Sequence, residues 1–512
     1  HVDVCTERDA DAVGLFAQSK LFAEVEVNRD VRRRAAGEEG GDAALHEAAP
    51  DERVGVLAQD SPDHKRVHDE RNHRHAAEEN APQMSMQRDH VHVSEIAVTG
   101  TLDLTPEKVL SLLPELKQDE VSIKKLSMQI QTVNDTGALV FVTEFTPDGA
   151  GDYRVLVHAD AQDNDHFRLG ISNTGTKYTG QVRSSLTYVN NNISGMADTL
   201  GVSVVTSPGH FSDVKTGAVA YRKLLPEMGG ELSVQASYGK VNIDDMQPYP
   251  GLLDMDLSGK SLALDLHYRQ FLTYTSRTKN ILDFGIGYRK MRSDYGFSFS
   301  GTPINYRNDY RVILASIDFS HRERKENSTF GYNVGLAANV SGDEKEYANI
   351  TPGSDEQFLL LRAGVNYQAR SKSDWITGIS LQGQYTGQHI ISAEQIGAGG
   401  AMSVRGFDER AMGADKGVVG KIEIYTPEVD KGLRFLAFTD YAWLWNNTNP
   451  RSVGFDHDTI GSIGLGVRYT NPRSGLSLAV DYAHIIKQAS KVDLGVLRQN
   501  RRPWNFSASM SF

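Results

Sequence analysis

Val404, Arg405, Gly406 and Phe407 form the segment with the clearest chemical purpose in this 512-residue chain, and they sit in a long polar connection, "HIISAEQIGAGGAMSVRGFDERAMGADKG". Arginine offers a planar, permanently charged fork that fits a carboxylate. The glycine after it permits a tight backbone turn, and the phenylalanine supplies packing. Such a set suits the anchoring of a loop better than the making or breaking of bonds. Its partner should be an acid on whatever wall the loop lies against. In "RFLAFTDYAWLW", Phe435, Ala437, Tyr441, Trp443 and Trp445 share one face, which leaves Asp440 on the other with Arg434. Glu423, in "GKIEIYTPE", is a second candidate. Asp440 and Glu423 are also an acid pair in principle. No Ser/His/Asp order and no metal-ligand spacing accompanies them, so the expectation is no enzyme, no metal and no cofactor. A Gly-x-x-x-x-Gly-Lys-Ser/Thr phosphate loop is absent from the sequence. His64, His68, His73 and His75 cluster in "HKRVHDERNHRH", but acids and bases flank them in like numbers without cysteine, which favours a solvated polar tail over a metal site.

The elements that must position these residues are strands. Apolar residues make up 39% of the chain, and no run of about 18 of them exists, the length a membrane-crossing helix needs. A membrane barrel survives that test, because only every second residue of its strands faces lipid. From about 166 to 512 the chain holds no convincing helix and about sixteen alternating segments. "GGELSVQASYG" sets Leu232, Val234, Ala236 and Tyr238 against Ser233, Gln235 and Ser237. "SLALDLHYRQF" sets Leu262, Leu264 and Leu266 against Asp265, His267 and Arg269. Many of the apolar faces end in Tyr, Phe or Trp, where an aromatic girdle meets headgroups. Connections alternate long (near 241–259, 292–307, 341–356, 388–416, 446–460 and 487–502) and short (274–278, 322–328, 370–373, 426–431 and 472–474). A membrane barrel has this asymmetry, with its short turns on the periplasmic side. A soluble two-sheet sandwich would also alternate, with its greasy face inward.

Two zones precede the barrel. Residues 1–90 are rich in Ala, Asp, Glu, Arg and His, with too few large apolar residues for a core, and are expected to be an atypical, disordered segment. The chain starts at His1 with no legible signal peptide, which implies a processed start or a fragment. Residues 91–162 read as β-α-α-β-β. A strand with one irregularity carries Val91, Val93, Ile96 and Val98, and a helix opens at Thr105 and Pro106. A second helix, about 119–134, carries Ile123, Leu126, Ile130 and Val133 on one stripe, and two further strands follow. The net charge of −12 argues against a nucleic-acid partner. At the other end, "PWNFSASMSF" puts Trp504, Phe506, Ala508, Met510 and Phe512 on one face.

These motifs carry a resemblance. A Val-Arg-Gly-Phe tetrapeptide between the eleventh and twelfth strands resembles the sixth-loop signature of outer-membrane assembly factors and two-partner secretion transporters. "VNDTGALVFVTEFTPDGAGDYRVLVHADA" and "FRLGISNTGTKYTGQVRSSLTYVNNNISGMADTLGVSVVTSP" look like the haemolysin secretion/activation branch of that superfamily. The resemblance implies a sixteen-stranded transmembrane barrel at 166–512 in the bacterial outer membrane. It makes 91–162 a periplasmic polypeptide-transport-associated (POTRA) domain. It implies Asp440 as the loop arginine's partner, and Trp504, Phe506, Met510 and Phe512 as a signal read by the barrel assembly machinery. Its expected function is export of an unfolded partner exoprotein without nucleotide hydrolysis; the alternative is an assembly and insertion factor for other barrels. Such transporters usually carry a plug helix and two POTRA domains, of which one is legible here. The implied partners are the secreted client, outer-membrane lipids and the assembly machinery.

Overall fold

The computed structural model describes residues 90–512 apart from 101–104, 150, 177–178, 250–252, 300–301, 448–454 and 490–500. The expected tail, with its histidine cluster, lies outside the described residues. The described chain opens with a small α+β unit: β1 (His90–Gly100), α1 (Pro106–Leu112), β2 (Glu120–Ser122), α2 (Ile123–Thr136), β3 (Leu139–Pro147) and β4 (Tyr153–Ala161). Its sheet runs β2-β1-β4-β3, with β1 parallel to β4. The irregularity read in the first strand is a shift of register between Val93 and Glu95. Thr105 caps α1 by accepting from the Lys108 amide, as its position before Pro106 suggested. Helix α2 begins later than expected. Glu120–Ser122 first pair with His90–His92 as a strand, and Ser122 then caps the helix, which Gly137 ends at φ +74°. Leu126 and Val133 are buried under the sheet, with Ile123 and Ile130 packed beside them.

The remaining strands close on themselves. In chain order they are β5 (Asp165–Ser172), β6 (Arg183–Asn190), β7 (Thr199–Thr206), β8 (Val214–Leu225), β9 (Gly230–Tyr249), β10 (Leu253–Tyr274), β11 (Thr278–Phe299) and β12 (Thr302–Lys325). Next come β13 (Ser328–Ser341), β14 (Leu359–Arg370) and β15 (Ile376–Tyr385). After a long excursion, considered below, follow β19 (Lys416–Tyr425), β20 (Leu433–Trp445), β21 (His457–Asn471), β22 (Leu476–Lys487) and β24 (Trp504–Ser511). Each pairs antiparallel with its neighbour and β24 pairs with β5, giving a closed barrel of sixteen strands among the described residues.

The faces are inverted relative to a soluble fold. Leu262, Leu264 and Leu266 are exposed on the outside, as are Val234, Phe284, Ile286 and Leu465. Glu231, Ser233, Gln235, Ser237 and Asp265 are buried inside. A two-sheet sandwich would show the reverse. Period-two alternation supplies both faces from one strand, and closure leaves no unpaired edge, as a hydrocarbon surround requires. Aromatic side chains sit at both ends of the outer face: Tyr441 against Trp443 (4.4 Å between ring centroids) and Tyr482 against Trp504 (4.9 Å) at one rim, and Phe167 stacked on Phe512 (5.9 Å) at the other.

Two expectations need correction. The stretches 241–259 and 292–307, read as long loops, are mostly strand, because β9 to β12 run on as a paired ribbon. At about 3.3 Å per residue, the 24 residues of β12 exceed what an apolar band about 25 Å tall requires, even when tilted. Beyond the band the alternation changes face, with Val241, Ile243 and Leu257 buried on the parity of Ser237 and Asp265, whereas the backbone ladder continues. The barrel region also holds a helix, α3 (Glu344–Ile350), whose cap, Asp343, accepts from the amides of Lys345 and Glu346. Its single turn or two is too short for a periodic signal.

The α+β unit packs on the rim to which the chain enters and leaves, called the near rim here. Its core continues into Ala197, Leu224 and Phe271 on that rim. Lys279 Nζ lies 2.8 Å from Asp135 Oδ2 across the joint, and both side chains are nearly buried. The opposite end is the far rim.

Candidate functional site

Between β15 and β19 the chain leaves the far rim, and the tip of this segment, loop 6, reaches side chains that face the barrel lumen. Its stem pairs β16 (Ile396–Ala398) with β18 (Met412–Ala414). Asp415 staples the base. It is fully buried and accepts from the Ile390 amide (3.1 Å), the Gln395 amide nitrogen (2.9 Å) and the Asn447 backbone amide (2.8 Å), with His389 Nδ1 at 2.8 Å. Ile390 and Ile391 pack beside Tyr347 of α3, whose hydroxyl burial pushes above the usual tyrosine range.

The tip carries the tetrapeptide. Arg405 is 1% exposed, an extreme burial for an arginine. Its guanidinium grips Asp440 in two parallel bonds, Nε to Oδ2 at 2.7 Å and Nη2 to Oδ1 at 2.8 Å, and the Arg405 backbone amide adds a third at 3.1 Å. Nη1 lies 2.8 Å from Glu423 Oε1 and 3.2 Å from Asp481 Oδ2. The guanidinium carbon also sits 3.4 Å above the centre of the Phe438 ring. The structure thus brings together Arg405, Asp440 and Glu423, all singled out above.

It adds residues that the sequence reading missed. Asp481, on β22, is shared between Arg405 and Arg468, whose guanidinium lies 2.6 and 2.9 Å away. Lys421, inward on β19 directly opposite Asp440, donates to the Met402 carbonyl of the loop at 3.2 Å. Three carboxylates (Asp440, Asp481, Glu423) therefore meet three cations (Arg405, Arg468, Lys421), and the buried cluster is neutral as a whole. The signal for Asp481 was its inward parity in "SLAVDYAH", but its nearness to Arg405 depends on which strands are neighbours.

Val404 and Phe407 are buried beside the tether in a cluster with Met412, Ala442, Leu444 and Ile460, which joins the loop to the wall by packing. Gly406 adopts φ +96°, outside the range of ordinary side chains, and an added Cβ would lie 3.2 Å from Ile485 Cγ1 and 3.3 Å from Ala483 Cβ. Gly406→Ala should cost about 1–3 kcal/mol of local stability. The expected result is faster amide exchange across 404–407 with unchanged heat-modifiable migration of the barrel; unchanged exchange would remove the glycine's role. Trp504, Phe506, Met510 and Phe512 lie on the lipid-directed face of β24 and its end, away from this site.

The family model described as haemolysin secretion/activation protein ShlB/FhaC/HecB matches residues 151–469, more than half of the chain. The chain belongs to this family. Among curated relatives it is 21% identical over 361 residues to the heme/hemopexin transporter protein HuxB of Haemophilus influenzae (strain ATCC 51907 / DSM 11121 / KW20 / Rd), an alignment covering 67% of this chain and 59% of that relative. The chain therefore spans about three fifths of the length of the curated relatives it matches. Solved structures with this fold include CdiB from Escherichia coli (TM-score 0.67, 15% identity, 82% of this chain and 76% of that one). CdiB from Acinetobacter baumannii matches with a TM-score of 0.63 at 15% identity, over 83% of this chain and 74% of that one. BamA from Haemophilus ducreyi lacking POTRA domains 1-3 matches at 0.50 with 16% identity, over 82% of this chain and 85% of that one. Membership of this family and the sixteen-stranded barrel identify the chain as an outer-membrane protein.

Proposed function

We propose that this chain exports a partner protein, unfolded, through its own barrel and without nucleotide hydrolysis. The observation that carries the reading is the buried tether: a loop seated in a polar bore by an arginine paired with wall carboxylates. A sixteen-stranded barrel is wide enough for an aqueous channel. A permanently open channel of that width would leak, so a loop that fills it and can be moved is a gate. The inner wall of Ser233, Gln235 and Ser237, with charges already paired as in Glu231–Arg269 (2.8 Å), offers an extended chain little apolar surface to adhere to.

In this reading the near rim faces the periplasm, and residues 91–162 are a POTRA domain that receives the client, a haemolysin- or adhesin-type exoprotein. A sheet edge of that domain binds the client by strand addition. The client threads the lumen as the Arg405 tether rearranges, and its folding outside biases movement outward. Trp504, Phe506, Met510 and Phe512 serve as the signal read by the barrel assembly machinery, and the outward apolar belt contacts outer-membrane lipids.

Depletion of the chain in its own host tests this against the second reading, insertion of other barrels, for which the fold likeness to BamA speaks. Loss of one large secreted protein, with other barrels at normal levels, is the expected result. A global fall in outer-membrane barrels would instead make this an assembly factor.

A further inference from the structure

The barrel closes where its last strand meets its first, and this seam is built differently along its length. From the near rim, Phe512 and Phe167 exchange backbone bonds of 2.8 and 2.9 Å, and a regular ladder continues to Ser507 opposite Ser172. There β5 ends. Asn173 then takes the place of a strand: its amide donates to the Phe506 carbonyl (3.2 Å), its side-chain oxygen accepts from the Phe506 amide (2.9 Å), and its side-chain nitrogen donates to the Trp504 carbonyl (2.8 Å). One step farther out stands Arg502. Its Nη1 donates to the Asn173 carbonyl and its Nη2 to the Gly175 carbonyl, both in the loop that follows β5. The same Nη2 lies 3.3 Å from Asp408 Oδ1 in loop 6. The backbone around Arg502 pairs with loop 6 as well: β17 (Gly406–Phe407) is antiparallel to β23 (Arg501–Arg502), with Gly406 opposite Arg502.

We propose that Arg502 is a second tether on loop 6 and at the same time the clasp over the far half of the β24/β5 seam. One guanidinium joins three segments: loop 6, the approach to β24 and the loop after β5. Arginine suits the place because its fork presents several donors in fixed directions, whereas lysine offers a single point of charge. Loop 6 is then held at two heights, by Arg405 to the wall of β19, β20 and β22, and by Arg502 to the seam. Withdrawal of the loop strips Asp408 and the β17–β23 pairing from Arg502, so the far half of the seam loosens as the bore clears. Arg502 is a positioning residue, since it acts on the loop and the seam rather than on a passing chain. The inference rests on loop 6 being a gate, but its test does not depend on any export.

The test is hydrogen exchange by mass spectrometry on the full chain in lipid nanodiscs. It compares wild type with Arg502→Ala, Arg502→Lys and Arg405→Ala, each checked for heat-modifiable migration. Loss of charge-assisted bonds should speed exchange about tenfold or more at Asn173, Gly175 and Phe506 in Arg502→Ala. Ser509–Phe512 should stay at the wild-type rate. Arg502→Lys should fall between the two, and it supplies the measurement if the alanine variant does not assemble. Arg405→Ala should also raise exchange at Asn173 and Phe506, because the two tethers share a loop. Exchange at Asn173 and Phe506 within about twofold of wild type in the Arg502 variants would overturn the clasp. So would an equal rise along the whole seam, which would mean general loosening. A seam unmoved by Arg405→Ala would overturn the coupling. A secretion assay on the same variants, read separately, reports on the gate itself.

Discussion

On the proposed export role, Arg405→Ala is expected to leave the barrel assembled and to cut export of a partner protein several-fold or more. Assembly survives because the sixteen ladders are backbone bonds between neighbouring strands, and none of them uses a loop charge. The loop does not survive in place. Alanine removes every side-chain bond to Asp440 together with the contacts to Glu423 and Asp481, and it strips the cation from the face of Phe438. The buried cluster then holds three carboxylates against two cations. Leaving a buried charge unpartnered costs on the order of 3–5 kcal/mol, more than a surface loop can absorb. A loop without a defined seat obstructs the bore at random. Immunoblots of the medium for the client, beside heat-modifiability of the barrel, read the two halves of the claim. Normal secretion would end the tether's role.

Asp440→Asn produces a defect of the same order, for a complementary reason. The side chain keeps its shape and one acceptor, but it loses the charge and one of the two bonds to the guanidinium. Arg405 then sits 1% exposed with only the carboxylates of Glu423 and Asp481 to balance its charge. Glu423→Gln is the contrast: its carboxylate is more exposed and makes one contact to the arginine, so its defect is smaller. The decisive variant is the double one. If Arg405 and Asp440 act as a unit, Arg405→Ala with Asp440→Ala is no worse than either single change, since no orphaned charge remains between them. Losses that add in the double variant would place the two residues in separate roles.

Much of this was legible because lipid imposes a simple rule on sequence. Segments such as "SLALDLHYRQF" must be greasy at every second position, so all sixteen barrel strands lie where alternation placed them. The same rule located Asp440 on the inner face, opposite Phe435 and Trp443 in parity. It misleads where lipid is no longer present: in the extensions of β9 and β10 the alternation changes face, with Val241, Ile243 and Leu257 buried, and the Asp, Gly and Pro around them look like loop although the backbones stay paired. Helix α3 is too short for a periodic stripe, although Asp343 was a readable cap. Strand β2 was absorbed into the helix after it, because three residues that pair only with the chain's first described strand leave no local pattern.

The tether was half legible for a similar reason. A charged fork, a glycine and an aromatic residue in one loop announce an anchor, and inward parity narrows the choice of acid. Asp481 and Arg468 stand on β22 and β21, and only the order of strands around the barrel brings them to Arg405. Arg502 is farther still from any local signal, since its two carbonyl partners, at Asn173 and Gly175, lie more than three hundred residues earlier in the chain.

The central claim is that loop 6 lies inside a wet, membrane-embedded cylinder and fills it. Single-channel recording in planar bilayers tests this directly, with the intact chain compared with a variant in which residues 396–414 are replaced by a short Gly-Ser link. The account predicts small or rare openings for the intact chain, and a several-fold larger, steady conductance once the loop is gone. Equal conductance for the two proteins, or none from either, would contradict it.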